Sequence, residues 1–330
     1  METREAISYK ASFASKARSI LSKIFVNQYS FLIIFMVVLG IIVTIINPNF
    51  IKVTNLFNII LQVSVTGVVC AGIGTVILSG EFDISLGSQM SVIAVVFAMT
   101  ISQTGNIPLA IVIAFILGIV MGAINGIIVV KSNAHSFILT MGTSTAYAGV
   151  ALFYSSGLWA SLKGKFQFIG RYKVFNLIPM PAIVFVAVII VLYMILRFTK
   201  FGRIIYAIGG NVEAAYLSGI NVKLYKISIF IFASVFYAIA TIVLISQLGA
   251  GYPNTGNYYT LPAIASVIVG GIAITGGRGS AISIFLGALV FGVINNSLNM
   301  LMVNPYIKDI ILGAIVLTAV TFSAWRSRKL

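Results

Sequence analysis

The sequence predicts an all-α integral membrane protein: about ten transmembrane helices in two inverted five-helix repeats, some of the helices broken. Three observations carry this. Of 330 residues, 60% are hydrophobic and only 8% charged, at a mean hydropathy of +1.10, so most helical surface is made for lipid rather than water. Apolar runs near 20 residues, the length that crosses a bilayer, recur along the chain. Two pairs of segments, one in each half, resemble each other at nearly the same spacing.

Taken in order, residues 1–29 form a basic amino-terminal segment. Ile7, Phe13, Ala17, Ile20, Leu21 and Ile24 recur there at helical spacing with Lys10, Lys16, Arg18 and Lys23 between them, as in a helix lying on a membrane surface. A disordered basic tail is the other reading. The first apolar run ends in Asn47-Pro48-Asn49 rather than in a small-residue cleavage site, so it reads as an uncleaved first span. Spans follow at 30–46, 57–78, 84–102, 107–130 and 134–154, then at 181–197, 225–248, 261–275, 280–301 and 309–323. They make one transmembrane domain over 30–323, with halves at about 30–155 and 181–323 and a basic tail at 324–330. Gly and polar residues interrupt the runs at 78–88 and 270–282, where broken helices are expected.

Net charge is +15, yet the basic residues sit between apolar runs and at the ends, so they report topology rather than a nucleic-acid partner. Arg4, Lys10, Lys16, Arg18 and Lys23 at one end, and Arg326, Arg328 and Lys329 at the other, place both termini in the cytoplasm. An even number of spans is then required. The connection after span six, with Arg197, Lys200, Arg203, Lys223 and Lys226, falls inside as well. The loop 157–173, with Lys163, Lys165, Arg171 and Lys173, falls outside and is the one exception.

The repeat pairs "MGAING" (121–126) with "FGVINN" (291–296), and "SQMSVIAVV" (88–96) with "AIASVIVGG" (263–271). Span four then corresponds to span nine and span three to span eight, with the second half inverted, a plan typical of transporters. Gly118, Gly122, Ala123 and Gly126, and Gly287, Ala288 and Gly292, form small faces on which helices pack closely in lipid. Asn125 and Asn295 at these faces are expected to find partners across helices.

Catalytic parts are missing. His135 is the only histidine, which removes a histidine metal site, a Ser-His-Asp triad and a histidine proton relay. No GxxxxGK[ST] loop occurs, and "TGGRGS" (275–280) reads as a helix break with Arg278 reaching the interface. The chain is expected to be no enzyme, with no metal or cofactor of its own. The single cysteine, Cys70, lies in an apolar run and permits no internal disulfide. Near the spans, Glu81, Asp83 and Asp309 are the only carboxylates, too few to support coupling to ions. Movement must be driven from outside the chain, or not driven at all.

A handle for such a drive lies in the cytoplasmic segment 207–226, "AIGGNVEAAYLSGINVKLYK": a Gly-Gly-Asn break, a short helix begun near Glu213, and a Ser218-Gly219-Ile220 stop. Ala214, Ala215 and Leu217 give it a small, apolar surface fit for a cleft on another protein. An ordinary amphipathic loop helix is the alternative.

Three stretches now carry a resemblance over about residues 55–320: "ILSGEFDISLGSQMSV" (77–92), similar to a Gly-x-Asp-Leu-Ser-x-Gly-Ser signature; "GGNVEAAYLSGI" (209–220), similar to a Gly-x-Asn-x-x-Ala-Ala-x-x-Ser-Gly-Ile segment; and "AIASVIVGGIAITGGRGS" (263–280). The chain resembles the permease subunits of bacterial ABC importers for simple sugars, of the ribose, arabinose, xylose and autoinducer type, in the branched-chain amino acid/sugar permease superfamily. The resemblance implies two permeases, as a homodimer or heterodimer, in the bacterial inner membrane. It also implies cytoplasmic ATPase subunits that hold ATP and Mg, and a soluble extracytoplasmic solute-binding protein. Residues 209–220 would be the coupling helix, with Asn211, Glu213, Ala214, Ala215, Ser218 and Gly219 touching the ATPase. Nucleoside and branched-chain amino acid permeases are nearby alternatives, and an autonomous carrier or channel is the rival from another class. Where the family usually has an acidic Glu-Leu-Asp pattern, this chain has Tyr259-Thr260-Leu261-Pro262.

Two carboxylates beside the spans need a buried or wet place with partners, since one in hydrocarbon costs about 3 kcal/mol on insertion scales. Asp83, followed by Ile84-Ser85, can accept backbone N–H groups at the start of span three and cap it; contact with sugar hydroxyls is the lesser reading. Glu81, where the family more often has an uncharged residue, reads as a loop-facing or interface group. Further polar candidates for the path are Gln62, Ser64, Thr66, Asn125, Asn295 and Asn299.

Overall fold

The computed structural model describes residues 28–327, apart from 133 and 176. Most of the basic amino-terminal segment and the last residues of the tail lie outside the described residues. Helices α1 (Gln28–Ile46), α2 (Val53–Leu78), α3 (Leu86–Thr104), α4 (Ile107–Lys131) and α5 (Ser136–Ser155) build the first half. A linker follows with β1 (Ala160–Ser161), a four-residue α6 (Phe168–Arg171), β2 (Lys173–Val174) and β3 (Ile178–Pro179). The second half holds α7 (Met180–Phe198), α8 (Lys200–Gly210), α9 (Val212–Leu217), α10 (Val222–Leu248), β4 (Ala250–Gly251), α11 (Thr260–Val269), α12 (Ala281–Met300) and α13 (Pro305–Ser327).

Eight helices among the described residues, α1 to α5, α7, α10 and α12, are long and apolar enough to cross a membrane. Their ends fall within a few residues of the apolar runs because caps fix them. Asn106 accepts the Leu109 N–H at the start of α4, and Gly105 and Gly249, both left-handed, close α3 and α10. Span eight differs. The run 261–275 is helical only as α11, ten residues long. Beyond it Gly271, Gly276, Gly277 and Gly279 take positive φ, which stops the helix at Gly270. The chain reaches α11 through an irregular segment, so this crossing is a half-helix with glycine-rich backbone at its far end, tolerated because protein surrounds it.

The packing shows the inverted repeat independently of sequence similarity. Helix α10 lies on α4 in the way that α2 lies on α12, α3 on α5 as α11 on α13, and α3 on α4 as α11 on α12. Exchanging first-half and second-half partners maps each of these contacts onto its counterpart, and α2 against α10 maps onto itself, whereas α2 on α7 and α1 on α12 have no counterpart of comparable extent. The small faces make this closeness possible. A Cβ on Gly118 would stand 2.9 Å from the Ser234 carbonyl oxygen, and one on Gly122 would stand 2.7 Å from that of Phe230, both on α10. Lipid offers helices no hydrophobic drive to associate, so van der Waals fit of this kind holds them.

The centre is formed by α2, α3, α10 and α12, with Phe97, Phe230 and Tyr237 fully enclosed and Phe185 of α7 enclosed against them. By contrast α1 exposes Ile33, Val37, Ile41 and Ile45, a surface for acyl chains. Strand β1 pairs antiparallel with β4, Ala160 opposite Gly251. This fastens the loop 157–173 to the end of α10 far from α9, so that loop and the handle segment stand at opposite ends of the bundle.

Candidate functional site

At one end of the bundle the chain leaves α2 through a tight turn. Ser79 donates its hydroxyl to the Val76 carbonyl at 2.7 Å, Gly80 adopts φ +81, and the Glu81 N–H returns to Val76 at 3.1 Å. The connection to α3 is then tied to α5 through backbone groups: Phe82 N–H donates to Ser136 Oγ at 2.9 Å and Ile84 N–H to Thr140 Oγ1 at 3.0 Å.

Asp83 is 0% exposed. Its Oδ1 accepts the Ser85 N–H at 2.9 Å and the Ser85 hydroxyl at 2.6 Å, and its Oδ2 accepts Gln89 Nε2 at 3.0 Å. Asn125 Nδ2 donates to Ser85 Oγ at 2.7 Å, and the Tyr147 hydroxyl donates to Asn125 Oδ1 at 3.2 Å. Gln89 in turn accepts Ser234 Oγ at 2.7 Å. One carboxylate thus gathers donors whose own bonds reach α4, α5 and α10, a network in which each member satisfies another. Because these lone pairs are spoken for, the geometry makes Asp83 a fastening of four helices rather than an open solute contact. The expected backbone bond at the start of span three is there, from Ser85 just before α3.

Glu81, 12% exposed, pairs with Lys226 on the second turn of α10, the one ion pair among the described residues. Beside them lies a cleft of about 490 Å³ bordered by Phe82, His135, Ser136 and Phe137. Gly80 and α8 meet at the same place: the Gly277 N–H donates to the Leu78 carbonyl at 2.9 Å, and Gly209 lies so close to that carbonyl that a side chain there has no room.

The handle follows directly. Asn211 Oδ1 accepts the Ala214 N–H at 2.9 Å and caps α9. Gly219, at φ +82, ends it while the Ile220 N–H returns to the Ala215 carbonyl at 3.2 Å. Asn211, Glu213, Ala214, Ser218 and Gly219 are exposed, whereas Ala215 is turned inward, 4% exposed, against Ile208 and Val222. Ala215 therefore seats the helix instead of offering contact, since only one face of a short helix can point outward. Leu217, 78% exposed, is on the outward surface as expected, and beside it stands Tyr216, 70% exposed, which the small-residue pattern did not suggest.

The other polar candidates scatter. Gln62 and Thr66 on α2 and Asn295 on α12 line a cavity of about 20 Å³ with Tyr258, room for about one water. Asn295 Oδ1 is buried there without a hydrogen-bond partner among the described residues, although the Asn295 side chain bonds Tyr258, so Asn125 finds its expected cross-helix partners while the Asn295 carbonyl finds none. The neighbouring Asn296 takes that role, exchanging bonds of 3.0 and 3.1 Å with Asn55. Ser64 spends its hydroxyl on the Ile60 carbonyl at 2.6 Å, and Asn299, exposed, accepts Lys308 Nζ at 3.1 Å. Gln89, Ser234, Tyr147, Lys226 and Asn55 were missed from sequence. The available signal was Gln89 four residues after Ser85, one helical turn away. Among the described residues no three His, Cys, Asp or Glu side chains cluster to hold a metal.

A family model described as branched-chain amino acid transport system / permease component matches residues 55–320. The chain is 37% identical over 293 residues to the ribose import permease protein of Bacillus subtilis (strain 168), covering 88% of this chain and 91% of that protein. It is 35% identical over 302 residues to the galactose/methyl galactoside import permease protein of Escherichia coli (strain K12), covering 84% and 88%. To the L-arabinose transport system permease protein of the same strain it is 32% identical over 323 residues, covering 98% of each. No solved structure matches. Helices of crossing length, an inverted repeat and an exposed capped handle now stand with a family match over most of the chain. The chain belongs to the family of branched-chain amino acid transport system permease components: it is a multi-pass membrane permease subunit of an ABC import system and not an enzyme.

Proposed function

We propose that the chain forms the membrane path for a monosaccharide, delivered by a soluble binding protein on the outer side and moved by a separate cytoplasmic ATPase that holds ATP and Mg. The sugar reading rests on the ribose, galactose and arabinose permeases to which the chain is similar over most of its length. The drive reading rests on one structural observation: α9 is a capped six-residue helix, held by Ala215 and presenting Val212, Glu213, Tyr216 and Leu217 outward. A rigid exposed helix with a tyrosine anchor is suited to a cleft on a partner. Both termini and α9 are then cytoplasmic, and the loop 157–173 faces outward. Asn211, Glu213, Ala214, Ser218 and Gly219 join Tyr216 and Leu217 in that contact. A second permease copy, identical or related, completes the path. Gln62, Thr66 and Asn295 are the polar groups through which this chain meets the solute.

Proteoliposomes holding this permease with its ATPase and binding protein test the proposal. D-ribose, L-arabinose and D-galactose are offered with and without ATP. ATP-dependent accumulation of at least one of them is expected. Accumulation of leucine or a nucleoside but no sugar overturns the substrate class, and sugar entry without ATPase overturns the drive.

A further inference from the structure

The handle and the Asp83 network are separate features, yet a single side-chain contact spans the gap between them. Helix α9 and the first turn of α10 behave as one piece, because Ala215, Ile208 and Val222 pack together and the Ile220 N–H closes the turn between them. One turn further on, Lys226 reaches across to Glu81. Glu81 sits two residues before Asp83, in a connection whose backbone N–H groups hang on Ser136 and Thr140 of α5. The cleft of about 490 Å³ beside the pair leaves this connection room to shift. Both side chains are largely withdrawn from solvent, 19% and 12% exposed, so losing one partner leaves an uncompensated charge rather than a hydrated one.

We propose that Glu81 and Lys226 are positioning residues: their ion pair carries displacement of α9 into the 79–85 connection and so to the four helices fastened at Asp83. This rests on the proposed ATPase-driven transport and names the part of the chain that transmits it. The second link, the backbone contact of Gly209 and Gly277 around the Leu78 carbonyl, holds the end of α2 in place. The ion pair acts on the segment that follows. Pulling on Glu81 moves the connection while α2 stays seated.

The test uses the complete assembly in proteoliposomes, with D-ribose, L-arabinose and D-galactose as probes and the ratio of sugar accumulated to ATP hydrolysed as readout. Glu81→Lys and Lys226→Glu each place like charges together, and each is expected to lower that ratio by about tenfold while ATP hydrolysis persists. The exchange Glu81→Lys with Lys226→Glu restores the pair in reverse and is expected to recover at least about half of the wild-type ratio. Should the single reversals not fold, Glu81→Gln with Lys226→Gln removes both charges at similar size, and the same loss of ratio is expected. A wild-type ratio in the single variants or in the double glutamine variant overturns the proposal, as does an exchange no better than the singles. Failure of the wild-type assembly to couple sugar to ATP overturns the transport reading instead, and the inference falls with it.

Discussion

The two halves share one contact plan and differ in how the chain enters its third span. In the first half, entry into α3 runs through a connection built on a fully buried carboxylate with both oxygens accepting hydrogen bonds, and α3 is a 19-residue helix. In the second half, entry into α11 runs through Tyr258-Tyr259-Thr260, no Asp or Glu occurs from 250 to 280, and the helix lasts ten residues before glycines take over. Here close backbone packing does most of the joining: a Cβ on Gly256 would meet the Gly87 carbonyl oxygen and Met90 Cβ, and one hydrogen bond, from the Gly256 N–H to Ser91 Oγ at 3.0 Å, accompanies it. A duplicated scaffold therefore needs the same helix contacts but not the same chemistry at corresponding joints. The polar joint is the one beside the handle, and the glycine joint carries no Asp or Glu.

Breaking the polar joint carries the largest expected effect. Asp83→Leu strands the donors of Ser85 and Gln89 and is expected to lower stability in mixed detergent–SDS unfolding by about 3 kcal/mol. Thr260→Val at the corresponding joint is expected to cost less than about 0.5 kcal/mol. Equal losses at the two sites contradict the contrast.

The small faces sharpen it at the next level. A Cβ on Gly122 meets Ser234 Oγ at 2.6 Å and backbone just beyond it, the Phe230 carbonyl oxygen at 2.7 Å and Ile231 Cα at 2.8 Å, whereas one on Gly292 meets the Val63 side chain first, with the Val63 backbone no nearer than 3.9 Å. Gly122→Ala is expected to cost about 2 kcal/mol because whole helices must part, and Gly292→Ala under about 1 kcal/mol because a side chain can turn away. The same unfolding assay orders them, and a reversed order means the halves are not packed as described.

Smaller still is the Asn55–Asn296 exchange. Asn55→Leu is expected to cost about 1 kcal/mol by orphaning Asn296, and the double leucine variant is expected to recover most of that loss. Asn295, whose Oδ1 has no partner to lose, is expected to change stability by under about 0.5 kcal/mol on replacement by Leu. Because Asn295 is a proposed solute contact, Asn295→Leu is expected to raise the KM for sugar uptake in the proteoliposome assay, and an unchanged KM contradicts that contact.

Much of this was legible in the sequence, for physical reasons. Apolar runs fix spans because lipid admits little else, so α1 to α5, α7, α10 and α12 lie close to where hydropathy puts them. The glycines of α4 and α12 announce close packing because removing a side chain has few other uses in the middle of a span. The break that ends span eight at Gly270 was legible in the glycines and polar residues of 270–282, while the helical length of the run 261–275 was not, since Ile272 and Ile274 extend the apolar run past that point. The network around Asp83 was only half legible: Ser85 is adjacent, but Asn125, bound to Ser85, and Ser234, bound to Gln89, come from helices whose facing register no local pattern reveals. The inward turn of Ala215 was not legible because composition suggests a smooth surface without saying which face is turned in.

The central claim is that force enters through α9 from the cytoplasmic side, and its most direct test uses one exposed position. Cys70 is buried, so Leu217→Cys, at a site 78% exposed, supplies a reactive thiol that a membrane-impermeant maleimide can read. The account predicts no labelling in intact cells, labelling in inverted vesicles, and protection there when the ATPase is bound. Labelling from outside the intact cell, or labelling indifferent to the ATPase, contradicts it.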